Sequence, residues 1–132
     1  MSDPTTVPEA LRYTAEHEWF RPDGPEVLVG VTDYAQHQMT DVVFVDLPAI
    51  GKTVEARGTV LTLESVKTVS DVYAPVGGTV TAVNDQLKAH PEFVNQDPYG
   101  NGWLFRLRPA HPLAGTEGLS ATEYKAHVAA AP

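Results

Sequence analysis

The sequence predicts a mainly β fold, a small barrel or sandwich, with a short helix in its N-terminal half and a second helix at its C-terminal end. Three observations carry that prediction. Short runs rich in β-branched residues recur along the chain and are separated by Gly and Pro. A Gly-Thr-Val step occurs twice, at Gly58–Val60 and Gly78–Val80, in two stretches of similar grammar. Near the C-terminus, Ser120 with Glu123 three positions on forms the capping box that opens a helix, and Ala121, Tyr124 and Val128 follow at helical spacing.

Taken in order, residues 1–10 hold two prolines and little apolar content, so a flexible N-terminal tail is expected there, followed by a single domain over residues 11–132. Tyr13–Phe20 reads as a short strand, and Arg21–Glu26 as a turn built on Pro and Gly. Val27–Val31 is β-rich. Thr32 is placed to cap a short helix over the following residues. Asp41–Pro48 is a strand ended by proline. Gly51–Ser65 is expected to form one strand pair and Ser70–Asn84 another. Leu61 and Leu63 would share one face of a strand, with Thr62 and Glu64 on the other. Together the two halves suggest a weak internal two-fold joined through the segment around Lys67. A loop with tight turns (Pro91–Trp103) then leads to an alternating strand, Trp103–Arg108.

At 132 residues the chain is long enough to bury one real core. Nine basic residues against 17 acidic give a net charge of −8. That balance argues against a phosphate-tracking nucleic-acid binder and against a polybasic membrane anchor. No apolar run approaches the roughly 20 residues a membrane span needs. The N-terminus has neither an apolar signal core nor an arginine-rich transit pattern, so a cytoplasmic protein is expected. There is no cysteine, which removes disulfides, thiolate metal sites and a cysteine nucleophile together. Any sulfur chemistry would have to arrive on an attached group.

The motifs of common enzymes are missing: no G-x-S-x-G, H-E-x-x-H, P-loop or G-x-G-x-x-G. Five histidines are scattered without an i, i+4 pair, which suits surface or loop positions rather than a metal site. Glu16 and Glu18 flank His17; in a strand both carboxylates would share a face, as a solvated edge or as part of a cleft. Lys67 stands apart from the other three lysines. Lys52, Lys88 and Lys125 fit a turn, a loop helix and the final helix, whereas Lys67 joins the two related strand pairs and should occupy a hairpin tip. An exposed amine there is protonated and a poor nucleophile by itself. It is well placed, however, to be acylated by another enzyme.

The stretch Glu64-Ser-Val-Lys-Thr-Val-Ser-Asp-Val-Tyr-Ala-Pro-Val-Gly-Gly78 resembles the lipoylation hairpin of the glycine cleavage system H proteins, with Lys67 at the modified lysine. The resemblance continues in order through Tyr13–Trp19, Val29–Gln36, Asp41–Val54, Val94–Trp103 and Leu119–Tyr124, so it covers nearly everything from Tyr13 onward. It departs at Thr40, where the family often has glycine, and at Gln38, where some members have histidine. Biotinyl domains and the lipoyl domains of 2-oxoacid dehydrogenases set their lysine in different surroundings.

What the resemblance implies is a lipoyl-domain-like barrel-sandwich hybrid and a non-catalytic carrier. Lipoate would be joined by an amide to Lys67. Glu64, Ser65, Val66, Ser70 and Asp71 would serve hairpin recognition or touch the arm, with Asp71 open between a cleft contact and a plain turn residue. Glu18 would help hold the loaded arm in a cleft. The implied partners are a pyridoxal phosphate glycine decarboxylase that loads the aminomethyl group, a tetrahydrofolate-dependent aminomethyltransferase that removes it, dihydrolipoamide dehydrogenase that reoxidises the dithiol, and a lipoate-attaching enzyme. Two rival readings use the same residues differently: a same-fold relay that donates lipoyl or octanoyl groups to other enzymes, and an unmodified β-rich interaction module whose lysine is incidental.

Overall fold

Residues 6–130 are described, from a computed structural model. They form two antiparallel sheets, as the mainly β reading expects. The strands are β1 (Arg12–Tyr13), β2 (Glu18–Asp23), β3 (Glu26–Val31), β4 (Val42–Asp46), β5 (Thr53–Val54), β6 (Thr59–Ser65), β7 (Val69–Tyr73), β8 (Gly78–Val83) and β9 (Phe105–Pro109). The helices are α1 (Asp33–Met39), α2 (Gln86–Ala89), α3 (Phe93–Gln96) and α4 (Ala121–Ala130). One sheet runs β1-β2-β3-β9-β8-β5 and the other β4-β6-β7.

The main core fills the space between the sheets. Val27, Val29 and Val31 of β3 meet Leu61 and Leu63 of β6 and Val72 of β7, all buried. A second cluster lies on the far face of the six-stranded sheet, where Tyr13, Trp19 and Leu28 pack under Ala121 and Tyr124 of α4. Strand β3 is therefore covered on both faces, which is why Val27–Val31 shows no polar alternation. Gly30 sits opposite Trp19 in the β2–β3 ladder. A Cβ at Gly30 would come within 2.6 Å of the indole, so the absent side chain makes room for the largest one in this cluster.

Several local expectations hold. Thr32 caps α1, its Oγ accepting from the Ala35 N–H at 3.1 Å. At α4 the capping box closes: Ser120 N–H donates to Glu123 at 2.8 Å, and Glu123 N–H to Ser120 Oγ at 3.1 Å. Leu61 and Leu63 are buried while Glu64 is exposed.

Others are corrected. Tyr13–Phe20 is not one strand, because a turn at Thr14–His17 separates β1 from β2, with His17 at φ +76°. The Pro-Gly stretch Arg21–Glu26 is mostly strand, and only Gly24 and Pro25 form the loop. Pro22 is tolerated because β1 reaches only Trp19 and Phe20, leaving Pro22 on an edge with no partner to bond on that side. The pairing within the central block also differs: β5 does not pair with β6, nor β7 with β8. Instead β6 pairs β7 and β5 pairs β8. Each of these strands therefore takes its partner from the other half of the block rather than from its own. Finally, Pro91–Trp103 includes the short helix α3 rather than loop alone.

Of the N-terminal tail, residues 1–5 lie outside the described residues. Thr6 and Glu9 bond to the body of the domain: Thr6 N–H donates to Asp33, and Lys125 Nζ donates to Glu9 at 3.1 Å.

Thr40 closes α1 at φ +62° and ψ −152°, a region that favours glycine. Asn95 holds it there. Its side-chain amide donates to Thr40 O at 2.7 Å and to Gln36 Oε1, while its Oδ1 accepts from Val42 N–H at 2.8 Å. Thr40→Gly is expected to stabilise the fold by about 1 kcal/mol by relieving this strain. Denaturant unfolding checks it, and an unchanged or lower midpoint would count against the strain.

Candidate functional site: a hairpin lysine beside an acidic groove

Lys67 lies at the tip of the β6–β7 hairpin, exposed. The last ladder pair is Glu64 with Val69, and Ser65–Thr68 make the turn. Ser65 organises it. Its N–H donates to Thr68 O at 2.8 Å, and its Oγ accepts from Lys67 N–H at 3.1 Å and Thr68 N–H at 3.0 Å. Val66 N–H donates to Asp41 O at 3.0 Å, which ties the tip to the segment entering β4. The lysine thus projects from a turn whose backbone is fixed on both sides.

The surface around the tip is apolar and acidic. Phe44, Glu64 and Val69 lie in one cross-strand row on the outer face of the three-stranded sheet. Phe44 is 51% exposed, Val66 70% and Val69 63%, far more than such side chains usually show. Asp41, Glu64 and Asp71 are exposed among them.

Strand β7 leads from the tip into a groove of about 160 Å³. Its walls come from three places: Ser70, Asp71 and Val72 on β7 with Leu63 beside them; Tyr34, Ala35, Gln38 and Met39 on α1; and Glu16, His17 and Glu18 at the start of β2. The structure therefore brings Ser70, Asp71 and Glu18 to one groove that begins beside the lysine hairpin. Glu64, Ser65 and Val66 stay with the turn and do not line it.

Glu18 is 1% exposed. It points to the same face of β2 as Phe20, toward the second sheet. One oxygen accepts from the Thr14 hydroxyl, and the other from Tyr73 N–H at 3.2 Å. Glu18 thereby bridges the two sheets. Burial pushes its carboxyl up to about 7 from the ordinary 4.5, and the hydrogen bonds from Thr14 and Tyr73 pull the other way. Glu16, by contrast, is exposed. The left-handed backbone at His17 breaks the strand between the two carboxylates, so they do not share a strand face.

Two features escaped the sequence. One is the Asn95 clamp on the end of α1. The other is a cluster in which the His17 ring meets Tyr34, Tyr124 and His127. Their separations along the chain hide them; no motif spacing links residue 17 to residue 124. Among the described residues, no three His, Asp or Glu side chains converge as metal ligands would. No helix among them is long and apolar enough to cross a membrane.

Comparison with known proteins places this architecture. The family model for "Glycine cleavage H-protein" matches residues 11–131. The glycine cleavage system H protein of Bacteroides thetaiotaomicron is 50% identical over 121 residues, 92% of this chain and 96% of that protein. That of Thermus thermophilus is 55% identical over 103 residues, 78% of this chain and 80% of its own. The crystal structure of a glycine cleavage system H protein from Mycobacterium marinum superposes with a TM-score of 0.84 at 39% identity, covering 93% of this chain and 99% of that one. With the sheets, the hairpin and these matches in agreement, the chain belongs to the glycine cleavage H-protein family.

Proposed function

We propose that this protein is the lipoyl carrier of a glycine cleavage system, with lipoate attached through an amide to Nζ of Lys67. The observation that carries this reading is the pairing of an exposed lysine, on a turn pinned by Ser65 and Asp41, with a groove that opens beside it.

The groove suits such an arm. Its apolar lining (Val31, Ala35, Met39, Leu63 and Val72) matches an alkyl chain, and its carboxylates match a cationic end. When attached, the lipoyl group supplies the redox-active sulfur pair that this cysteine-free chain lacks and carries the aminomethyl group of glycine. The chain's own residues do the rest. Ser65 holds the turn so that the attachment point stays presented. Glu64 and Val66, exposed on the hairpin, give a lipoate-attaching enzyme something to recognise besides the amine. Asp71 and Glu16 at the rim favour a protonated amine in the groove, because opposite charges a few Å apart favour the charged form. Glu18 lies at the floor and adds negative charge above its pKa of about 7. The aliphatic wall and Tyr34 would shield an arm lying here from water.

On this reading the chain has no catalytic residues. Its residues 11–132 act as one carrier domain. It works in the cytoplasm with a pyridoxal phosphate glycine decarboxylase, an aminomethyltransferase and dihydrolipoamide dehydrogenase. The apolar and acidic surface around the tip is what each of these would meet.

Reconstitution tests the reading. The lipoylated chain mixed with the decarboxylase, glycine and labelled bicarbonate is expected to support exchange of label into glycine, and the Lys67→Arg protein is not. A lipoylated chain that gives no exchange, yet passes its lipoyl group to another acceptor protein, would point instead to a relay.

A further inference from the structure

Three polar side chains from three distant parts of the chain meet behind the groove. Tyr124 of α4 is fully buried, and its hydroxyl lies 2.8 Å from Thr32 Oγ and 2.8 Å from His17 Nδ1. Thr32, itself fully buried, is the cap of α1. His17 sits in the turn that carries Glu16 and Glu18, and its backbone is tied to the same places: its N–H donates to Thr14 O at 3.1 Å, and its O accepts from Thr32 N–H at 3.0 Å. Thr14 in turn donates to Glu18, and Glu18 accepts from Tyr73 on β7. A continuous hydrogen-bonded chain therefore runs from α4 to two walls of the groove, and through Glu18 to the third.

We propose that the Tyr124 hydroxyl is a positioning group for the groove: through it α4 locks the His17 turn to the N-terminus of α1, so that the walls hold one spacing. The inference deepens the reading of the groove as the arm's resting place, because it says what sets the shape of that place. Tyr124 does not line the groove and acts only through Thr32 and His17.

The chemistry gives the lock a direction. In the tautomer with its proton on Nε2, the neutral His17 ring accepts from the Tyr124 O–H at Nδ1, and Tyr124 then accepts from the Thr32 O–H. A proton on Nδ1 reverses both bonds and leaves the Thr32 hydroxyl proton without this acceptor. The groups facing the ring are Glu16 and Glu18 on its own segment, Tyr34 on α1, and Tyr124 and His127 on α4. Burial, then the neighbouring His127, push the His17 pKa below 6.5, against an opposite pull from Glu16. Burial likewise pushes the Tyr124 hydroxyl up, which keeps it a neutral donor.

The test uses the full, unlipoylated chain, so it does not depend on whether an arm is ever held. Isotope-labelled wild type, Tyr124→Phe and Tyr13→Phe are compared by NMR between pH 5 and 8. Tyr13 stacks on Tyr124 with ring centroids 4.7 Å apart, but its hydroxyl bonds to Pro8 O, away from the lock. In wild type the amide signals of Tyr34 and of Ala35, whose N–H donates to Thr32 Oγ, should shift together with the His17 ring as it titrates, whereas the Tyr73 amide, bonded to Glu18, follows Glu18 and is left out of this comparison. In Tyr124→Phe, the His17 pKa should rise, since a donor to its neutral form is gone. The Ala35 and Tyr73 amides should exchange with solvent about tenfold faster, as loss of a buried hydrogen bond implies. Tyr13→Phe should do neither. Groove amides that ignore His17 titration in wild type, or that exchange equally in wild type and Tyr124→Phe, would overturn the proposal. So would equal effects from both variants, which would show general loosening of the cluster. If the lock is found but reconstituted glycine exchange fails, the carrier reading falls and the lock stands.

Discussion

Trp19→Ala is expected to cost about 3–5 kcal/mol of stability. Trp19 is fully buried, seated over Gly30 on the neighbouring strand. Its Nε1–H donates to Pro98 O at 2.9 Å across 79 residues of sequence. Truncation opens a cavity that Gly30 has no side chain to fill, and it orphans the Pro98 carbonyl. The damage should reach the groove, because the next residue, Tyr99, accepts from Asp33 N–H at 3.0 Å at the start of α1. Thermal unfolding should drop by roughly 10–20 °C for a domain of this size. Trp19→Phe, which keeps most of the buried area, should lose much less. A Trp19→Ala protein within ~1 kcal/mol of wild type would contradict the packing described here.

Glu18→Gln is expected to flatten the dependence of stability on pH. In the folded protein the carboxyl titrates at about 7, against an ordinary 4.5. A pKa raised on folding gives stability that is fully present below 4.5 and is lost as pH rises through 7. The full shift corresponds to at most about 3 kcal/mol between those limits. Glutamine keeps the shape: its oxygen accepts from Tyr73 N–H, and its amide donates to Thr14 Oγ. It has no proton to lose, so the decline between pH 5 and 8 should vanish. His17 acts in the opposite sense, costing stability as pH falls below 6.5, and it is common to both proteins, so subtracting the two profiles isolates Glu18. Urea unfolding across pH 5 to 8.5 measures the difference. Identical slopes in the two proteins would mean that Glu18 is ionised throughout. The same variant bears on the arm: if Glu18 contributes charge to the groove above pH 7, Glu18→Gln should shorten the lifetime of the loaded arm at pH 8 more than at pH 6.

The strand-forming runs were largely legible because β-branched runs, Gly and Pro punctuate the chain, but their order in the sheets was not. The starts of α1 and α4 were legible too, since a cap is a local device: Thr32 and the Ser120–Glu123 pair need only three residues to declare themselves. Lys67 stood out for the same reason, being the only lysine between two related halves. What stayed hidden depends on distance along the chain. Which strands pair is one such feature: between β5 and β6 the chain passes from one sheet to the other through the turn around Arg57, at φ +68°. The burial of Glu18 follows from the left-handed turn at His17, which a period-two reading of Glu16 and Glu18 passes over. The Asn95 clamp and the Tyr124 junction join residues more than 50 positions apart, and no spacing rule reaches them. Thr40 was visible only as a departure; the structure shows that it bears a conformation glycine would take without strain.

The central claim is that Lys67 is the tether. Intact mass spectrometry of the protein produced in a lipoylation-competent host, beside Lys67→Arg, tests it most directly. A lipoyl-sized mass increase is expected on wild type and none on Lys67→Arg, with arginine keeping the charge and the hairpin but offering no acylable amine. No increase on wild type, or an increase that survives Lys67→Arg, would contradict it.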